Sequence, residues 1–184
     1  MVVLDGFAPA DAAAHLAGED EEQARRFGWY PARSTPGTVG SAIERWHADW
    51  AADGPTRVFA LREPRRRELA GGCEIRLRGD GLAEMSYWVF PTFRGRGYAR
   101  RAAELACEWA FSALGVERME VYVEPDNVRS RAVARGAGFR EEGLLRARER
   151  VGEHRRDMVL YARLVADPTP PSTVRRRDSS HLRA

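Results

Sequence analysis

Three groups of residues in this chain of 184 have the types and spacing to do chemistry. Residues 94–99, Arg-Gly-Arg-Gly-Tyr-Ala, set two arginines beside two glycines directly ahead of a helical pattern. Asn127 and Ser130, three apart, open a second helical pattern behind a strand-like run. Glu84 is a carboxylate on the alternating run that leads into the first group. A strand, a glycine-rich turn and a helix in that order make an anion site, because the first N–H groups of a helix lack partners and its dipole favours negative charge there. Gly95 and Gly97 let the backbone approach a ligand closely, and Arg94 and Arg96 can add charge-assisted contacts. The same residues could form a tight turn and nothing more. A Rossmann dinucleotide site fits poorly, since the third small residue is missing and no chain of βαβ repeats surrounds it. Asn127 in "PDN" equally reads as a helix N-cap, Ser130 as a helix-surface serine, and Glu84 as the partner of a neighbouring arginine.

The elements that must position these groups can be read from periodicity. Residues 9–27 give one or two short acidic helices, residues 32–40 a loop, and Val39, Ile43, Trp46 and Trp50 a helix closing at Gly54. Strand signals follow at 56–63, at 68–81 and at 82–90, the last two forming a hairpin about a Gly-Asp-Gly turn. Residues 97–114 read as an amphipathic helix: Arg100, Arg101, Glu104, Glu108 and Ser112 on the wet side, Ala102, Leu105, Ala106 and Trp109 on the buried side. Gly115 ends it. A strand at 118–125, a short helix at 127–138 and strands at 139–146 and 156–164 complete the pattern. Pro168, Pro170 and Pro171 close the folded part near Val165. The expectation is one domain over residues 1–165 and a disordered Pro/Arg-rich tail over 166–184.

Composition narrows the function classes. The apolar stretches are too short to span a bilayer, and the first sixteen residues lack a basic region and carry Asp5, so they do not read as a signal peptide. Cys73 and Cys107 stand far apart with no CxxC, which reads as two free buried thiols and a cytoplasmic setting. The four histidines show no metal-ligand spacing, so no metal is expected. The net charge of +3 is modest, no lysine appears, and Asn127 is the sole asparagine. No basic stripe alternates with aromatics on one element, so nucleic acid is not the expected partner. A membrane partner is not expected either, and a homodimer is left open.

The order of these pieces carries a resemblance. "YWVFPTFRGRGYARRAAELACEWAF" followed by "VYVEPDNVRSRAVARGAGF" resembles the GCN5-related N-acetyltransferase (GNAT) superfamily. Residues 94–99 match its R/Q-x-x-G-x-A loop, and Asn127, Ser130 and Gly138-Phe139 match its second motif. Glu84-Met85-Ser86-Tyr87-Trp88 is similar to the E-I-G-Y-W pattern of the Rim-type branch, whose founders acetylate N-termini of ribosomal proteins. The likeness is strong over about 68–164. It implies an α/β (α+β) fold with a mixed, mostly antiparallel twisted sheet, a splayed central strand pair with a bulge in the first strand, and flanking helices. It also implies acetyl-CoA as co-substrate and a primary amine as acceptor, a protein N-terminus or a small amine. Backbone groups of Trp88, Val89 and Phe90 would pair with the pantetheine arm, the N–H groups of Arg96 to Ala99 with the pyrophosphate, and Arg94, Gly95, Gly97 and Tyr98 complete that loop. Asn127 would contact pantetheine or order a water, and Ser130 would hydrogen-bond the leaving thiolate. Glu84 would act as base, partial burial raising its pKa, with Glu124 as runner-up.

One departure stands out. Many members place a tyrosine acid four residues before the Gly-Phe pair, where this chain has Ala134; Tyr122 and Tyr98 are weak substitutes. That favours an alternative, an acyl-CoA-binding regulatory module without turnover. The acceptor is expected against the first half, over about 9–54: the acidic residues 18–22, residues 27–31 and the Trp46/Trp50 helix. The acetyl-CoA core would occupy about 56–164.

Overall fold

The computed structural model describes residues 2–28 and 34–170. Seven strands form one sheet in the order β1-β2-β3-β4-β5-β7-β6: β1 (Val3–Asp5), β2 (Thr56–Arg62), β3 (Leu69–Gly79), β4 (Leu82–Val89), β5 (Arg118–Val123), β6 (Arg140–Val151) and β7 (His154–Leu164). Every pairing is antiparallel except β4 with β5. The helices are α1 (Asp11–Gly18), α2 (Glu21–Arg26), α3 (Pro36–Ala51), α4 (Tyr98–Ala113) and α5 (Val128–Gly136). This is the mixed, helix-flanked sheet that the sequence implies.

Strand alternation sends side chains to two apolar layers. Val58 and Ala60 of β2 meet Val39 and Ile43 of α3 on one face. Cys73, Ile75 and Met85 of the β3–β4 hairpin meet Ala103, Ala106, Cys107 and Ala110 of α4 on the other. Both cysteines are free and fully buried there, and burial pushes the Cys107 thiol up to about 12. Small alanines let α4 lie close to the sheet.

Several local expectations need correction. α3 starts at Pro36, inside the stretch read as a loop, because Thr35 caps it in a reciprocal box with Thr38 and Pro36 fits the first turn. Glu104, assigned to the wet face of α4, is only 5% exposed, its carboxylate held by Arg100 Nε at 2.8 Å and Arg101 Nη1 at 3.0 Å. β1 was not foreseen; it pairs at the sheet edge, and Arg62 Nε donates to Asp5 at 2.6 Å beside it. Contacts continue just past Val165: Leu164 N–H donates to Asp167 at 2.9 Å, and Asp167 pairs with Arg140 at 3.0 Å. Residues 171–184, most of the expected tail, lie outside the described residues, as do 29–33.

The β3–β4 hairpin depends on two glycines opposite Trp88. A Cβ on Gly71, whose φ is +154°, would run into the Trp88 carbonyl, and a Cβ on Gly72 would meet the Trp88 ring. Gly71→Ala is therefore expected to destabilise the fold by about 1–3 kcal/mol. Urea unfolding checks this; an unchanged midpoint would show that the strand relaxes freely around the methyl.

Candidate active site

The site begins where a ladder stops. β4 and β5 pair at Leu82↔Arg118, Ala83↔Met119 and Glu84↔Glu120, and no further. Beyond that point β4 stays on β3 as far as Gly71↔Val89, and β5 stays on β7 as far as Val123↔Val159. The two central strands are thus splayed. The expected bulge in β4 is not part of it, since the β3–β4 register is regular from Val89 to Ala83 and shifts only next to the hairpin turn. Phe90 N–H donates to Ala70 O at 2.9 Å. Antiparallel alternation then turns the Val89 main chain toward the edge that β5 has left. Arg94 Nε donates to Val89 O at 2.9 Å, which leaves the Val89 N–H as the donor facing the gap.

The loop after β4 builds a cradle at the mouth of the gap. Pro91–Phe93 makes a 3₁₀ turn, and Gly95 and Gly97 take φ values of +75° and +74°, a conformation costly for residues with a Cβ. Gly97 caps α4 without a side-chain hydrogen bond, and the first intrahelical bond runs from Arg101 N–H to Gly97 O. The N–H groups of Tyr98, Ala99 and Arg100 therefore have no intrahelical acceptor. A Cβ placed on Gly95 or Gly97 would have nothing within 4 Å, so the backbone faces open space. These residues line a groove of about 790 Å³ together with Val89, Trp88, Gln23, Arg129 and Val133. The donor set fits a pyrophosphate: first-turn amides of a sixteen-residue helix, which have no intrahelical acceptor, glycine backbone and nearby arginines.

Arg94 does not point freely into that groove. Besides Val89 O, its guanidinium reaches Asp20 at 2.6 Å and Glu22 at 3.5 Å, tying the loop to α2. Burial works against the charged Asp20, but the Arg94 hydrogen bond and the Gln23 amide outweigh it and hold Asp20 below the usual carboxylate range. Arg96 lies over the Phe93 ring at 5.6 Å. Phe90 is buried against the α1 side, beside His15, and is not part of the groove wall.

A second cavity, of about 420 Å³, opens on the other side of the gap. Arg26, Phe27, Tyr87, Asn127 and Ser130 line both spaces. Asn127 caps α5, accepting from Ser130 N–H at 3.1 Å. The Tyr87 hydroxyl lies 3.1 Å from Ser130 Oγ and 3.1 Å from Ser130 O. Burial pushes the Tyr87 phenol well up, and its bond to Ser130 offsets only part of that. Glu84 lies in the second cavity, paired with Arg78 at 2.5 Å and with Arg148 at 3.9 Å. Glu124 is held more tightly, between Arg26 and Arg156, the latter at 2.6 Å.

Few of the residues expected on the acceptor side line the second cavity. Trp46 packs on Phe7 and Trp50 on Phe59 and Trp109, so the α3 tryptophans serve the core and line neither cavity. Asp20 and Glu22 of the acidic segment hold Arg94 on the groove side. Apart from Arg26 and Phe27, the second cavity is built by β3, β4, β5, the start of α5 and the β6–β7 hairpin. Tyr87 was missed as a site residue, although it lies inside the Rim-type pattern. Its strand parity points it toward α5, and only the fold shows Ser130 waiting there. Ala134 is fully buried in the core and presents nothing to either space.

Residues 2–140 match the family profile described as an acetyltransferase (GNAT) domain. The chain belongs to the GNAT acetyltransferase family. Its relatives include the uncharacterised N-acetyltransferase p20 of Bacillus licheniformis, 27% identical over 63% of this chain and 66% of that one. They also include spermidine N(1)-acetyltransferase of Escherichia coli K12, 33% identical over 34% of each. The matches thus span less than two thirds of these curated relatives. Among solved structures, Mycobacterium smegmatis RimJ in complex with CoA-disulfide superposes with a TM-score of 0.76 at 29% identity, covering 89% of this chain and 82% of that one. This agrees with the Rim-type resemblance. The microcin C7 self-immunity acetyltransferase MccE, in complex with acetyl-CoA and AMP, shares the fold with a TM-score of 0.79 at 20% identity, over 89% and 92%.

Gly97→Glu places a carboxylate in the cradle and strains a left-handed position. It is expected to weaken CoA binding by at least about a hundredfold. Isothermal titration showing unchanged affinity would remove the cradle from the argument.

Proposed function

We propose that this chain is an N-acetyltransferase that moves an acetyl group from acetyl-CoA to a primary amine by direct attack in a ternary complex. One observation carries the reading: a groove with a helix-terminal anion cradle and a second, charged cavity meet at the splay, across a wall of Tyr87, Asn127 and Ser130. RimJ and MccE, which hold CoA-disulfide and acetyl-CoA, lend support on the donor side.

Acetyl-CoA supplies the thioester. The amide N–H groups of residues 96–99 would hold its pyrophosphate, and the Val89 N–H would pair with the pantetheine arm or polarise the thioester carbonyl. Asn127 would fix the arm or a water at the junction. The amine lone pair forms the new C–N bond, and the C–S pair leaves on sulphur, where the Ser130 hydroxyl donates a hydrogen bond. Glu84 stands three residues from Tyr87 along β4, roughly 10 Å, so it would take the amine proton through water in the acceptor cavity. Glu124, already shared by two arginines, is the poorer base.

Thiol release from acetyl-CoA with a panel of amines tests the function. CoA binding with no turnover on any of them would instead establish the binding module. Glu84→Gln is expected to lower kcat about tenfold and leave CoA affinity unchanged. An unaltered pH–rate profile in that variant would reduce Glu84 to the ion partner of Arg78.

The acceptor class follows from proton energetics. An α-amine titrates near 7.7–8.0 and a lysine near 10.4, a gap of about 2.5 units or roughly 3.5 kcal/mol of deprotonation work. A site whose candidate base is held by an arginine supplies little of that. Peptide N-termini or other low-pKa amines are therefore the expected substrates. Matched peptides, one with a free N-terminus and blocked lysine, the other reversed, give the comparison at pH 7. Faster acetylation of the lysine peptide would overturn the assignment.

A further inference from the structure

The Tyr87 hydroxyl has one proton and two acceptors within equal reach on the same residue, Ser130 O and Ser130 Oγ, each at 3.1 Å. The choice decides where the Ser130 proton goes. With the Tyr87 proton on the carbonyl, Ser130 Oγ–H points at the Tyr87 oxygen and is used up inside the β4–α5 contact. With the Tyr87 proton on Oγ, the seryl proton is free to turn into the junction that Ser130 lines from both sides. Passing from one arrangement to the other rotates two hydroxyls and moves no heavy atom. Ser130 itself is held in place, its N–H on Asn127 Oδ1 at the cap of α5.

We propose that Tyr87 is the positioning residue for the leaving-group interaction: by donating to Ser130 Oγ it aims the Ser130 hydroxyl hydrogen bond at the departing sulphur, which takes the pair of the broken C–S bond while Ser130 keeps its proton. No proton leaves Tyr87 in this step. The high phenol pKa imposed by burial suits that role, because the group stays a donor throughout. Tyr87 thereby supplies from β4 an ordering contact that Ala134 of α5, buried in the core, does not provide. The inference rests on the acetyltransferase reading and deepens it.

Two measurements test it. In the first, CoA and desulfo-CoA, which lacks the sulphur, are titrated at about pH 9, where a thiol of ordinary pKa is largely ionised. The wild type is expected to prefer CoA about tenfold, and both Tyr87→Phe and Ser130→Ala to bring the ratio near one. The comparison is internal to each variant, so a general loss of stability moves both ligands alike. In the second, thiol release is followed with acetyl-CoA and the free-N-terminus peptide. Tyr87→Phe is expected to lower kcat about tenfold with an unchanged KM for acetyl-CoA, and the double variant to be no slower than Ser130→Ala alone. Losses that multiply, a wild-type rate in Tyr87→Phe, or a CoA preference that survives in Tyr87→Phe but not in Ser130→Ala would overturn the proposal. So would a wild type that binds both ligands equally. If no amine is turned over, the transferase reading fails, and the titration still decides whether Tyr87 directs Ser130 at the sulphur.

Discussion

Two neighbouring parallel strands that stay hydrogen-bonded throughout have no free main-chain groups on their facing edges. β4 and β5 keep that bond only from Leu82/Arg118 to Glu84/Glu120 and then part, each retaining its outer partner. The parting creates the opening, turns the Val89 N–H into it and sets the glycine loop at one lip with the α5 cap at the other. Buried main-chain groups left without partners are costly. Such an opening persists when the groups on its edges are satisfied some other way, and here Arg94 takes up the Val89 carbonyl.

The charges are arranged to the same end. Every basic residue other than histidine is arginine, a planar fork that can hold two acceptors at once where an ammonium acts as a point charge. Arg94 joins a main-chain carbonyl to Asp20, Arg26 joins Glu124 to Asp126, and Arg118 joins Glu120 to Glu142. Each such fork links parts of the chain that the sheet ladder does not connect. Most of these pairs are partly exposed, so they position the chain more than they stabilise it.

The core of the fold was legible in sequence because its elements carry strong periods. The β3–β4 hairpin alternates cleanly, and α4 repeats small apolar residues on one face. Gly95, Gly97, Asn127 and Ser130 were legible as candidates because their residue types serve backbone geometry and capping whatever else they do. What escaped notice had no local signal. β1 is three residues long, and the far end of β6, past residue 146, is an exposed charged edge with no alternation to extend the strand read at 139–146. Glu104 reads as solvent-facing, and only the two arginines one turn back make its burial tolerable. The α3 tryptophans look equally suited to a pocket or a core, and tertiary packing decides for the core. Tyr87 is an ordinary inward strand residue until α5 is laid across it.

α2 is six residues long, yet it touches both lips of the opening. Asp20 at its cap holds Arg94, beyond the end of β4, and Arg26 in its last turn holds Glu124 and Asp126, beyond the end of β5. It serves as a strap across strands that no longer bond to each other. Gln23, Arg26 and the adjoining Phe27 line the groove at the glycine cradle, and Arg26 and Phe27 the second cavity as well. A ligand on one side that shifts this strap changes the walls offered to a ligand on the other. Thermodynamic linkage then requires the influence to run equally in both directions, so the affinities of the two spaces become two readings of one coupling free energy.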